Sequence, residues 1–143
     1  MLVRLMYASR SADSVDAEAL SAILRKSKEN NPRAGVTGVL CFCFNAGIFL
    51  QVLEGGRNAV SALYNRISQD PRHHEVVLLS YEEIGERSFS SWSMGQVNMG
   101  RLNPALLLKY SESATLDPYS VSGKASLALF NELVATASIG VQV

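Results

Sequence analysis

The sequence predicts an α+β fold, a mixed β-sheet with two helices on one face, followed by a C-terminal helical extension. Three observations predict it. Short apolar segments alternating with period two are interleaved with two stretches of helical periodicity, in the order strand, helix, strand, strand, helix, strand, strand. Helices that follow strands in this way belong together on one face of a sheet. Beyond Gly100 the pattern turns helical. The 143 residues are enough for one domain with a real core, and a hydrophobic fraction of 48% against 18% charged residues places the chain among soluble globular proteins.

Leu2 to Ala8 reads as the first strand, with Val3, Leu5 and Tyr7 on one face and Leu2, Arg4 and Met6 on the other. A helix follows from about Asp16 to Asn30, with Leu20, Ile23, Leu24 and Ser27 at helical spacing, and Asn30-Asn31-Pro32 is expected to end it. Val36 to Phe44 and Ile48 to Glu54 form two strands around Asn45-Ala46-Gly47, a hairpin signature. Gly55-Gly56 leads into a second helix striped by Val60, Leu63, Tyr64 and Ile67, closed by Asp70-Pro71. Glu75 to Glu82 is a fourth strand, and Trp92 to Met99 a fifth, weakened by Gly95. This βαββαββ order is that of ferredoxin-like folds. Pro104 to Tyr110 and Lys124 to Ser138 then read as helices, the second striped by Leu127, Phe130, Val134 and Ala137. Their apolar faces need cover, as does the second face of the sheet. The expected organisation is a domain over residues 1–100 and an extension over 101–143 that packs on that face or against another copy.

Composition excludes several classes. Thirteen basic and thirteen acidic residues cancel, so no net field draws nucleic acid or an anionic membrane. Cys41 and Cys43 lie two apart on a strand, point the same way and cannot easily bridge; no further ligand spacing suggests a metal site. Small buried thiols in a reducing compartment are the expectation. Met1 to Leu5 is too short and too charged for a signal peptide, and no apolar run reaches membrane-spanning length, so a cytoplasmic location is expected.

The polar residues that fit the pattern least point to a site. Gln51 sits in Ile48-Phe49-Leu50-Gln51-Val52-Leu53, where a buried unpaired amide costs about 2 kcal/mol or more. It needs a partner, whether a side chain, a water or a ligand. The first and third strands of such a sheet are usually central neighbours, which would let the Tyr7 phenol donate to that amide. Asn31 and Gln51 suit a planar heterocycle with adjacent carbonyl and N–H groups, and Arg72 and His73 suit a phosphate near the mouth. Taken singly, Tyr7, Asn30, Asn31, Arg72, His73, Trp92 and Met94 all have ordinary structural explanations.

In combination these residues resemble the BLUF family of flavin-binding blue-light sensors. The resemblance is carried by Leu5-Met6-Tyr7-Ala8-Ser9, Asn30-Asn31, Val36-Thr37-Gly38-Val39-Leu40 and Phe49-Leu50-Gln51-Val52-Leu53-Glu54-Gly55. It continues through Asp70-Pro71-Arg72-His73 and Phe89-Ser90-Ser91-Trp92-Ser93-Met94, and covers about residues 1–100. It implies flavin held between the two helices and the sheet, FAD by default, with FMN and riboflavin as alternatives. It implies that Tyr7 donates an electron and a proton, that Gln51 changes its hydrogen bonds on illumination, and that Asn31 holds the ring's carbonyl and N–H edge. Asn30 matches a position beside the flavin, Arg72 and His73 the ribityl and phosphate region, and Trp92 and Met94 the strand that relays the change. The segment from Cys41 to Gly47 is longer than the usual family hairpin by about two residues, at a turn where insertion is cheap.

Beyond about residue 100 no cyclase, phosphodiesterase or transcription-factor motif is recognised. The expected protein is therefore a photoreceptor without enzymatic output, signalling through its C-terminal helices to a separate protein and assembling as a dimer or larger homo-oligomer. The alternatives are a flavin-free regulatory or oligomerisation module and a small acylphosphatase-like enzyme. The second lacks a Gly-rich phosphate loop and leaves Gln51 without a purpose.

Overall fold

The computed structural model describes residues 1–12, 16–43, 46–90, 95–98, 104–136 and 139–141. In chain order the elements are β1 (Leu2–Ser11), α1 (Ala17–Ala34), β2 (Thr37–Cys43), β3 (Ile48–Gly56), α2 (Arg57–Gln69), β4 (His73–Ile84), β5 (Gly95–Asn98), α3 (Pro104–Tyr110), α4 (Gly123–Thr136) and β6 (Ile139–Val141). One mixed sheet runs in the order β4-β1-β3-β2-β5-β6. β1 is antiparallel to both β3 and β4, and β2 is antiparallel to β3 but parallel to β5. The ferredoxin-like α+β arrangement expected from the sequence is what the chain adopts, with β1 and β3 side by side in the middle.

Period-two alternation divides the sheet into two faces. Val3, Leu5 and Tyr7 of β1 and Phe49 and Leu53 of β3 pack with Leu20 and Leu24 of α1 and Val60 of α2. Their neighbours Met6, Ala8, Leu50 and Val52 point the other way, onto Leu107 of α3 and Leu129, Phe130 and Leu133 of α4. Burying each such aliphatic side chain stabilises the fold by roughly 1.5–3 kcal/mol. Residues after 100 thus cover the second face, where Cys41 also lies, its thiol pKa pushed up by burial. Among the described residues no helix is long and apolar enough to cross a membrane.

Three local outcomes differ from the sequence reading. α1 does not stop at Asn30 but continues through Pro32 to Ala34. Proline removes only its own N–H from the ladder; the actual stop is Gly35, at φ 71°, whose N–H closes on the carbonyls of Asn31 and Pro32. β4 begins at His73 rather than Glu75, which makes His73 a buried strand residue. β6 was not anticipated, because three residues are too few for alternation to register. Of the expected fifth strand, Gly95–Asn98 is present, while Trp92 and Met94 lie outside the described residues.

The β1–β4 ladder breaks twice. Met6 pairs with Ser80 and Tyr7 with Leu78, so Leu79 bulges; Ala8 pairs with Val77 and Arg10 with His74, so Glu75 and Val76 stand opposite Ser9. Glu75 has φ 48°, a conformation uncommon outside glycine.

At the far end of β3 the fully buried Glu54 carboxylate accepts from Arg4 at 2.8 Å and from the backbone N–H groups of Ser88 and Phe89 at 3.0 and 2.7 Å. It ties the segment after β4 back to the centre of the sheet. Glu54→Ala leaves the Arg4 guanidinium and two N–H groups without this acceptor and is expected to lower the unfolding free energy in urea by roughly 3–5 kcal/mol, with Glu54→Gln costing less.

Candidate functional site

α1 and α2 stand over the helix-facing side of the sheet and leave between them a cavity of about 340 Å³, within the range of small-molecule sites. Its floor is Tyr7 of β1, Leu40 of β2, and Phe49 and Gln51 of β3; Ile23, Leu63 and Ile67 supply apolar walls. Five of the residues singled out from sequence besides Tyr7 are brought to this one cavity: Asn30, Asn31, Gln51, Arg72 and His73.

Tyr7 and Gln51 are register partners across the β1–β3 ladder, and the Tyr7 hydroxyl donates to Gln51 Oε1. Both are buried, with Tyr7 1% and Gln51 5% exposed, so the bond forms where water does not compete for it. Burial first, then the nearby Tyr64 and Asp70, pushes the Tyr7 pKa far above the ordinary phenol range. Tyr7 therefore stays a neutral phenol and keeps its proton available for the bond. The Tyr64 ring of α2 lies 5.6 Å away, tilted by 52°.

Asn31 is buried in the last turn of α1, which extends past it, while the adjacent Asn30 is exposed on the rim. The His73 ring packs on Phe49, tilted by 43° with centroids 4.5 Å apart, and places Nδ1 2.7 Å from Ser9 Oγ. Desolvation outweighs the pull of Asp70 and lowers its pKa to about 4, so the ring is neutral at pH 7. Arg72 lies in the wall with its guanidinium engaged by Asp70, Nη2 to Oδ2 at 2.5 Å and Nε to Oδ1 at 3.0 Å. That bond holds the Asp70 carboxyl down at about 2.

Sequence reasoning missed Lys26 and Arg66. They line the cavity from α1 and α2, are exposed, and make no ion pair among the described residues. Lys26 stands four residues before Asn30 and three after Ile23, so the helical spacing that marks the pocket face carries a cation onto its rim. The donor set fits a flavin: apolar walls, two buried amides on the floor and at the helix end, and cations on the rim.

The family profile described as BLUF, sensors of blue light using FAD, matches residues 2–95. The photoactivated adenylate cyclase subunit beta of Euglena longa is 36% identical over 94 residues, which is 65% of this chain and 11% of that protein. The chain thus matches only a small part of the cyclase subunit's length. The solved structure titled BlsA photo-activated state superposes with a TM-score of 0.85 at 30% identity, covering 96% of this chain and 99% of that one. The dark-state structure of BlrB, a BLUF protein, gives 0.77 at 34% identity over 94% and 95% of the two chains. The chain belongs to the BLUF family of flavin-using blue-light sensors.

The neutral His73 has a stability consequence of definite sign. Its pKa is lower folded than unfolded, so the unfolded chain binds more protons between about pH 6.5 and 4. His73's contribution is complete above that window and is lost as pH falls through it, to a limit of roughly 3 kcal/mol. Urea unfolding across this range should show the loss in the native chain and not in His73→Gln.

Proposed function

We propose that this chain is a blue-light photoreceptor that binds FAD in the α1–α2 cavity and passes its state through residues 101–143 to a separate signalling protein. The observation that carries the reading is the buried Tyr7–Gln51 hydrogen bond on the cavity floor. Residues 1–100 serve as the flavin-binding domain and 101–143 as its extension, with no catalytic activity of their own. The extension also supports a homo-oligomer, and the protein works in the cytoplasm without nucleic-acid or membrane partners. In an empty oligomerisation module, the buried amides and rim cations around a cavity of this size would have no ligand to serve.

A bound flavin supplies light absorption and, once excited, an oxidant. The rest falls to side chains. Tyr7 gives up an electron together with its phenolic proton and later recovers both. Gln51, which accepts from that phenol, has an amide whose donor and acceptor ends invert its bonding when exchanged. With a flavin bound, that exchange would leave Gln51 donating to the ligand instead, and the altered bonding would move the absorption to the red until thermal reversal. Asn31 holds the carbonyl and N–H edge, and Asn30 flanks it. His73 shapes the ribityl side as a neutral ring. Arg72 is already paired with Asp70, so Lys26 and Arg66 join it in holding the phosphate. Trp92 and Met94, ahead of β5, relay the change toward the extension.

Absorption spectra of the flavin-loaded protein before and after blue light test the scheme. The native chain should shift to the red and recover in darkness. Tyr7→Phe and Gln51→Leu should bind flavin and lose the shift; a normal red-shifted product in Tyr7→Phe would sink the mechanism. Lys26→Gln combined with Arg66→Gln should weaken FMN and FAD binding by about tenfold and leave riboflavin affinity unchanged, as titration of flavin fluorescence would report.

A further inference from the structure

We propose that β4 is a second output line from the pocket, latched to the C-terminal extension at its two bulges, and that illumination loosens this latch. The inference rests on the photoreceptor reading above.

The first latch point is the Glu75 bulge. With φ at 48°, Glu75 leaves the regular ladder, and its carbonyl accepts from the Tyr119 hydroxyl at 2.9 Å. Arg10 of β1 lies over the Tyr119 ring, 4.7 Å from its centroid, and pairs with the Glu75 carboxylate at 2.8 Å. Tyr119, four residues ahead of α4, is thus held by two adjacent strands at once. The second point is the Leu79 bulge. Gly123, the first residue of α4, sits so close to it that a methyl group built there would lie 1.7 Å from the Leu79 carbonyl oxygen. Only glycine seats the helix at this depth.

Both points flank the stretch of β1 that serves the pocket. Leu79 bulges opposite the step from Met6 to Tyr7, and Glu75 and Val76 stand opposite Ser9. Ser9 meets His73, a pocket residue two positions before Glu75 on the same strand. A displacement at Tyr7 or His73 therefore reaches a latch point within two residues, at places where the ladder bonds that would resist it are interrupted. The latch is also weak enough to move. Tyr119 is gripped by one neutral hydrogen bond and one cation–π contact, which bias an equilibrium without locking it. Tyr119 held and Tyr119 released, with α4 still seated on the sheet, are the two arrangements a signal requires, and this route runs through β4, independently of β5.

The test is backbone amide hydrogen exchange on the full FAD-loaded chain, in darkness and under steady blue light, with absorption recorded on the same samples. In the native protein α4 should exchange faster in the light. Tyr119→Phe keeps the ring over Arg10 but removes the donor. It should keep the red shift, exchange α4 roughly fivefold faster in the dark, and gain little more on illumination. Arg10→Gln, which leaves the Tyr119 hydroxyl in place, should move the same way by a smaller factor and serves if the first variant folds poorly. Native α4 exchange indifferent to light, or variants with native dark rates and a native light increment, would overturn the latch while the red shift persists. A native protein with no red shift would overturn the photoreceptor reading itself, and the spectrum reveals that before any exchange is compared.

Discussion

A phenol and a primary amide, facing each other in the middle of a six-stranded sheet, set the terms for the rest of this molecule. Buried alone, either would cost about 2 kcal/mol or more; the antiparallel register of β1 and β3 makes each the other's partner. That solution obliges the sheet to keep its register, since a slip of one residue would turn Tyr7 and Gln51 onto the opposite face. It also places the pair beneath two helices held apart by side chains as large as Ile23, Leu63 and Ile67, with a cavity between them. Fold and site are therefore one construction.

The surroundings of the pair keep charge away from the floor. His73 is neutral by desolvation, and Asp70 and Arg72 satisfy one another, so the formal charges gather at the rim. A neutral ring system can then lie against the amides without facing an uncompensated ion. At the opposite end of β3, Glu54 is the exception, a buried carboxylate with Arg4 and two backbone donors, and its work is to hold the segment that leads from β4. Among the described residues, the fold uses the buried Glu54 side chain for position and leaves the pocket to hydrogen bonds.

Much of this was legible in the sequence, for physical reasons. Alternation in β1 and helical spacing in α1 and α2 are long enough to declare their periods, and Gln51 stood out because an amide in an apolar strand demands a partner. What was missed had weak or misleading signals. Pro32 read as a stop, yet proline near a helix end costs little, and the left-handed Gly35 does the stopping. Lys26 and Arg66 look like any solvated helix residues until the helices are placed beside the cavity. The bulges of β4 leave no sequence mark, because a single inserted residue such as Leu79 looks like one more apolar strand residue. Tyr119, 44 residues from the Glu75 carbonyl it grips, could not be assigned before the topology was known.

Consecutive residues of β3 live in different compartments. Gln51 faces the cavity, and Leu50 beside it faces the helices of the extension. Since a strand's side chains alternate, residues on one side do not touch those on the other and meet them only through the shared backbone. The helix-facing positions can be held constant for colour and photochemistry while Met6, Ala8, Leu50 and Val52 are rewritten to suit whatever lies across them. A sheet of this kind lets the residues of its two sides be chosen separately, while the backbone they share is what any change on one side must act through to be felt on the other.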